Sequence, residues 1–301
     1  MEKVDVAIVG GGPAGMQAAL VIARTRKKVI VLDAPRASRN AASNGVHNFL
    51  GLDSVLPGEI RKIAWKQIDV YNSAELREEQ VDDIRRFDDD RFLLTGAHGG
   101  QIAASKVVLA FGYHDIFPDV PGFIECWSET IIPCPFCDGY ENRDRVWGIV
   151  RGEESKLEVF PKMAQNWTST IKVFLADGIE MDSGYRDELS LSGIAVYDGS
   201  IVEVHHTAGK VEAVTLDSGE RVEVESLVWK PSERPSALIQ NLVDNLGLEL
   251  DDAGHVKTDE MQQTNVANVW AAGDIQGWVG GIGAAAAGDR AAVAIVKGWY
   301  S

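Results

Sequence analysis

One segment near the start of the chain limits its fold more than any other. Val4-Asp5-Val6-Ala7-Ile8-Val9 reads as an apolar strand. Gly10-Gly11-Gly12-Pro13-Ala14-Gly15 reads as a tight turn that opens an Ala-rich helix to about Arg24, and Val29-Ile30-Val31-Leu32-Asp33 as a second strand. Two strands joined through one helix lie parallel, so residues 4–33 predict the first half of a doubly wound sheet. Gly10 permits the tight turn, Gly12 lets the backbone approach a pyrophosphate, and Gly15 allows the helix to pack closely on the strand. The helix N-terminus favours an anion, and Asp33, ending the second strand, can accept hydrogen bonds from a ribose diol. The alternative, a glycine-rich connection without a ligand, needs the strand, the three glycines and the acid to coincide.

Further along, a polar loop from Pro35 to Asn48 leads into a helical stretch near Pro57–Ala74, and the acidic run Asp82–Asp90 reads as a solvated turn. Ser105–Gly112 is a strand ending in glycine, and Pro118 and Pro121 mark a linker, which puts a boundary near 116. A second strand–helix–strand unit spans Arg145–Leu175, and strand-rich sequence from Ile194 to Trp229 ends in a Pro-containing link, Pro231–Pro235, with a boundary near 232. Asn268–Asp274 is then a short strand ending in Gly-Asp, and Ile282–Val296 is an Ala-rich helix. This last part reads as a return to the first domain, and 301 residues are enough for two domains.

The 45 acidic against 29 basic residues give a net charge of −16, which argues against nucleic acid or anionic membrane as partners. No basic leader and no long apolar span is visible, so a cytoplasmic location is expected. The three cysteines, at 126, 134 and 137, exclude a secreted-type disulfide framework. Cys134-Pro135-Phe136-Cys137-Asp138 is a Cys-x-x-Cys, whose spacing lets two thiols close a small disulfide and tunes one toward thiolate. A zinc site would need four ligands, yet only Cys126 remains and no His lies within twenty residues after Cys137, so no metal is expected. Asp138 is placed to exchange a proton with the departing thiolate, a role that requires an elevated pKa; its alternative is an ordinary turn aspartate. Cys126 is either a buried small hydrophobe or a resolving thiol, and no role is assigned to it.

The N-terminal turn, the central Cys-x-x-Cys-Asp-Gly, and the C-terminal Ala-Gly-Asp before an Ala-rich helix together resemble the low-molecular-weight thioredoxin reductase family over nearly the whole chain. The resemblance implies an α/β protein of two Rossmann-like, three-layer ββα domains. Residues 1–116 and 233–301 would form a discontinuous FAD-binding domain, with 117–232 inserted as the domain that in the family binds NADPH and carries the disulfide. It assigns Gly10, Gly12, Pro13, Ala14, Gly15, Asp33, Ala34, Arg39, Asn40, His47, Ala110, Gly112, Gly273, Asp274 and Ala284 to the cofactor. It assigns Cys134, Cys137 and Asp138 to catalysis, with Cys137 nearer the flavin and Cys134 exchanging with substrate. A homodimer is implied in the same way.

The departure from the family lies in the central domain. Where a second glycine turn should follow the strand Arg145–Ile149, the chain has Val150-Arg151-Gly152-Glu153-Glu154-Ser155, and two carboxylates would face a pyrophosphate. Where the family grips the 2′-phosphate with His-Arg-Arg, Ala176-Asp177-Gly178 stands instead. NADPH is therefore not expected, and Asp177 leaves NADH as a weak option. Three kinds of relative lack a normal NADPH site. The gliotoxin- and holomycin-type dithiol oxidases, which pass electrons to O2, are similar in Arg39-Asn40, His47-Asn48-Phe49-Leu50 and Asn166-Trp167, but many carry His where Asp138 stands. A ferredoxin-dependent thioredoxin reductase is disfavoured by the negative charge. A diflavin-linked oxidoreductase would hold a second FAD, for which Trp147, Trp167, Trp229, Trp278, Trp299 and Tyr300 are candidate walls, against core packing or a dimer interface. The expected activity is exchange of electrons between the cysteine pair and FAD without NAD(P)H, with a thioredoxin-like protein or a small dithiol or disulfide as substrate. The electron partner stays open between second flavin, O2 and ferredoxin, and a non-catalytic redox sensor is the reading from another class.

Overall fold

The structure is a computed structural model that describes residues 1–35, 38–88, 91–152, 160–176 and 178–300. Two compact units emerge: Met1–Ala41 with Val55–His114 and Glu233–Ser301, and Ala42–Ser54 with Asp115–Ser232. The segment 42–54, which the sequence reading leaves with the first region, clusters with the second.

The first unit starts with β1 (Glu2–Val9), α1 (Pro13–Arg24) and β2 (Val29–Asp33), followed by α2 (Pro57–Ile68), β3 (Ala74–Glu78), β4 (Val81–Asp88), β5 (Arg91–Gly96) and β6 (Gln101–Leu109). Pro13 at the first helical position suits α1, since its missing N–H would have no intrahelical partner there. The acidic run expected as a turn is instead strand β4. Val81 and Ile84 are buried and anchor it to the core, while Asp82, Arg85 and Arg86 point outward, and it pairs antiparallel with β5. Asp89 and Asp90 lie outside the described residues.

The chain passes through a short strand β7 (His114–Ile116) into the second unit. That unit contains α3 (Phe123–Cys126), β8 (Ile131–Ile132), α4 (Pro135–Asp138), β9 (Trp147–Arg151), α5 (Phe160–Met163), β10 (Ile171–Leu175), α6 (Ser183–Leu191) and β11 (Ala195–Asp198). Strands β12 (Ile201–Thr207), β13 (Lys210–Leu216), β14 (Arg221–Glu223) and β15 (Ser226–Val228) complete it. Its main sheet runs β11-β10-β9-β15-β8 with every neighbour parallel, and β12-β13-β14 form an antiparallel sheet beside it. Buried on both faces, β9 and β10 carry near-continuous apolar runs, as a covered parallel sheet requires.

After β16 (Ser232–Arg234) the chain supplies α7 (Ala237–Leu246), β17 (Val269–Ala271) and α8 (Gly280–Lys297) to the first unit. Its sheet runs β3-β2-β1-β6-β5-β4, and the outer edge of β6 is shared: residues 101–104 pair with β5, and 107–109 with β17. Helices α1 and α8 pack through Ala14, Ala18, Ala287, Ala291 and Gly288. A Cβ on Gly288 would overlap the Ala14 carbonyl oxygen, so the small residues set how near the two helices come. Among the described residues no helix is long and apolar enough to cross a membrane.

Candidate functional site

Two sites take shape, one in each unit. In the first, β1, β2, β6 and β17 are parallel, so their C-terminal ends reach the same edge of the sheet, where α/β proteins bind ligands. Gly10 has φ 107° and sits on the Ala110 carbonyl, leaving no room for a side chain. A Cβ on Gly15 would overlap the Gly10 carbonyl oxygen. Gly12 caps α1, and nothing lies within 4 Å of where its Cβ would stand, so space is open in front of the first-turn amides. A Cβ on Gly273 would stand 3.0 Å from the Ala14 Cβ and 3.6 Å from that of Ala284, and one on Gly112 would stand 3.9 Å from the Asp274 Cβ. The turn, Pro13 included, thus meets Ala110, Gly112, Gly273, Asp274 and Ala284 at one edge.

Asp33 ends β2 there, with Ala34 next to it. Its Oδ1 accepts the Gly11 amide at 2.8 Å and its Oδ2 pairs with Arg61. A carboxylate has about four acceptor directions, so ribose hydroxyls can still be received. Arg39 donates to Glu233 at 2.6 Å, has Nη1 3.5 Å from the Asp274 carboxylate, and lies over the Trp278 ring with 4.7 Å from Cζ to centroid. Asn40 is exposed and accepts from Ser38 Oγ. Glycines that admit backbone to phosphate, a helix N-terminus facing open space and a strand-terminal acid fit FAD. Arg61, Glu233 and Gly288 escape the sequence reading of this site, and Trp278 enters it only as a candidate wall for a second FAD; of the three, only Gly288, a glycine inside a helix, carries a local signal.

The second site is built on α4. Strand β8 leads through Pro133 to Cys134, the N-cap of α4, and Pro135 fixes its first residue. The amides of Cys137 and Asp138 both donate to the Cys134 carbonyl, which turns the two cysteines to one side. A Cβ on Gly139 would overlap the Pro135 carbonyl and lie 3.1 Å from the Trp147 ring. Trp147 is fully buried and donates to the Asn142 carbonyl at 2.7 Å, so it is core and cannot wall a cofactor. Trp167 stacks beside it and takes Phe136 edge-on at 5.4 Å. Buried Asn142 donates to the carbonyls of Asp138 and Glu129, and its Oδ1 accepts from Ser226 and Arg145. It braces α4 from behind.

His47, which the resemblance assigns to the cofactor, clusters with the second unit. Its Nε2 is 3.7 Å from Glu141, its Nδ1 3.3 Å from Ser54 Oγ, and Asn48 Nδ2 donates to the Phe136 carbonyl. Cys126 is wholly buried among Phe123, Val204 and Val211, and burial pushes its thiol up to about 11, as befits an inert core residue.

The electrostatics separate the remaining groups. A hydrogen bond from Cys137, aided by the amides of Cys137 and Phe136, pulls the Cys134 thiol down to about 7 against the effects of burial and the Asp138 charge. Burial, helped by Glu141 and opposed by His47, pushes Asp138 up to about 6. Since the folded state holds that proton more tightly than the unfolded chain, Asp138 costs stability as pH rises from about 4 through 6. Asp138→Asn is therefore expected to raise the melting temperature at pH 7.5, by up to about 3 kcal/mol in stability, with the gain fading below pH 4. Thermal unfolding at the two pH values checks this, and a variant no more stable at pH 7.5 would contradict it.

A nucleotide-type turn at the ends of the parallel strands of one sheet and a closely spaced cysteine pair beside another define a flavin-linked disulfide oxidoreductase. The chain belongs to the pyridine nucleotide-disulphide oxidoreductase family, whose model matches residues 4–145 and 174–295. Within it the chain is thioredoxin reductase-like. It is 32% identical over 287 residues to thioredoxin reductase tcpT of Claviceps purpurea (strain 20.1), covering 90% of this chain and 86% of that one. The crystal structure of HlmI superposes with a TM-score of 0.89 at 29% identity, covering 98% of this chain and 92% of that one. TrxB from Bacillus anthracis gives 0.89 at 30%, covering 98% of each.

Proposed function

We propose that this enzyme exchanges electron pairs between the Cys134–Cys137 pair and FAD without a nicotinamide cofactor, with a thioredoxin-like protein or a small dithiol or disulfide as substrate. The observation that carries the reading is the sequence after β9. That strand lies inside the parallel sheet of the second unit, where a dinucleotide turn belongs, and it runs into Arg151-Gly152-Glu153-Glu154. Both shape and charge there oppose a pyrophosphate. Glu153, Glu154 and Asp177 lie outside the described residues, and the reading rests on their identity. The gliotoxin- and holomycin-type resemblance of Arg39-Asn40 and His47–Leu50 favours a small dithiol and O2 among the open partners.

When bound, FAD supplies a two-electron acceptor and donor. The chain supplies the thiol chemistry. A substrate thiolate bonds to Cys134 Sγ as the Cys134–Cys137 bond breaks and Cys137 leaves as thiolate. The second substrate sulfur then displaces Cys134, closing the substrate disulfide. Asp138, with its raised pKa, takes up or returns a proton near neutrality. Run backwards, the same steps reduce a disulfide.

The test is anaerobic titration of the yellow protein with NADPH, NADH and then a dithiol, following flavin absorbance. Bleaching by the dithiol alone is expected, and bleaching by either nicotinamide would overturn the reading. Air admitted afterwards assigns O2 if colour returns within turnover time.

A further inference from the structure

We propose that Arg39 controls how firmly this protein keeps FAD, by balancing the charge of Asp274 at the edge where the pyrophosphate must lie. The groups that meet this arginine come from distant parts of the chain, all within the first unit. Ala41 N donates to Ser38 O at 2.9 Å, closing a tight turn with Arg39 at its second position. Glu233 lies in β16, where the chain returns to the unit. Asp274 and Trp278 lie between β17 and α8.

Their contacts close a ring. Arg39 Nη2 donates to Glu233 Oε1 at 2.6 Å, its Nη1 stands 3.5 Å from Asp274 Oδ2, and its Cζ lies 4.7 Å from the centre of the Trp278 ring. Asp274 Oδ1 accepts the amide of Val279, the N-cap of α8, at 3.3 Å, so both oxygens of that carboxylate are engaged. The side chains of Arg39 and Glu233 are only 16% and 10% exposed, and water screens their charges poorly. A flat fork that stacks on an indole while reaching two carboxylates is a task for arginine, since an ammonium group offers neither the plane nor the fork.

The position of the ring supplies its consequence. Asp274 follows Gly273, on which a Cβ would stand 3.0 Å from that of Ala14 in the first turn of α1. The carboxylate therefore belongs to the edge whose open helix amides suit phosphate. An anion there repels the pyrophosphate unless a cation offsets it. One guanidinium against two carboxylates leaves the ring at −1, and its removal would leave −2. Arg39 acts through Asp274 and is a positioning residue, and it would do so whichever electron partner the enzyme uses.

The experiment reads FAD release, which needs neither substrate nor turnover. The holoenzyme is diluted into buffer, and the fluorescence of freed FAD gives the rate. Arg39→Gln, which keeps a planar amide and removes the charge, should release FAD on the order of a hundredfold faster than the wild type. Glu233→Gln discriminates between charge balance and a mere strut. It removes one negative charge and leaves the guanidinium for Asp274, so FAD should leave no faster than from the wild type. A strut that has lost its 2.6 Å ion pair would instead let FAD go sooner. Adding Glu233→Gln to Arg39→Gln should likewise win back roughly tenfold, since the ring returns to −1. Wild-type release from Arg39→Gln would overturn the proposal. So would a Glu233→Gln enzyme that sheds FAD faster, or a double variant no better than Arg39→Gln alone. Should Arg39→Gln not fold, Glu233→Gln still decides by the sign of its change. None of these rates involves nicotinamide or dithiol, so a failure of the electron route would leave them standing.

Discussion

Cys137→Ser is expected to slow dithiol-driven bleaching of the flavin on the order of a thousandfold or more while leaving FAD bound at full stoichiometry. The two halves of that expectation rest on different parts of the molecule. The residues that fit FAD are the strand ends of the first unit, and Cys137 belongs to the second. The serine hydroxyl can still donate toward Cys134, so the Cys134 thiolate should persist and attack a disulfide substrate, forming a mixed disulfide with one equivalent as the substrate's other sulfur leaves as thiolate, visible by mass. Loss of the yellow colour in place of lost transfer would sink the assignment of Cys137.

The second large effect belongs to the glycine turn. Gly15→Ala should strip the protein of FAD and destabilise it by about 3 kcal/mol, because the added methyl overlaps the Gly10 carbonyl and two backbones cannot both stay in place. Gly12→Ala makes the control, since its methyl enters open space. That variant should melt with the wild-type apoprotein yet hold FAD more weakly, its methyl standing where a phosphate must approach. The ratio of flavin to protein absorbance and apoprotein melting curves separate the two. Equal FAD retention in Gly15→Ala and wild type would contradict the turn's role.

Local pattern made much of this molecule legible. Gly10, Gly12 and Gly15 between two apolar strands set the first sheet, the spacing of Cys134 and Cys137 fits the one turn of α4, and prolines at 118, 121, 231 and 235 stand near the ends of the second unit's main segment. What escaped was held by tertiary partners. The 42–54 loop looks like any polar connection, and what draws it to the second unit is tertiary: Asn44 Nδ2 donates to Glu129 and Asn48 Nδ2 to the Phe136 carbonyl. The acidic β4 hides two inward residues, Val81 and Ile84, among outward charges. Asp33 reads as a ribose ligand, but its pairing with Arg61 of α2 depends on a helix placed by the sheet. Trp147 looks like a ring awaiting a ligand until its indole N–H is found bonded inside the core.

The divided edge of β6 bears on how the chain is born. Its first half is covered as soon as it is made, since β5 comes just before it and the hairpin is local. Its second half waits for β17, roughly 160 residues later, which at ribosomal speeds of about 5–20 residues per second leaves a bare apolar strand edge for on the order of ten to thirty seconds. The intervening unit can complete its own parallel sheet in that interval, before the first one closes. Helix α1 waits equally for α8, with Ala18 and Ile22 uncovered. The nascent first unit is therefore the stretch of this protein with most need of a chaperone, and truncation before residue 269 should leave it insoluble.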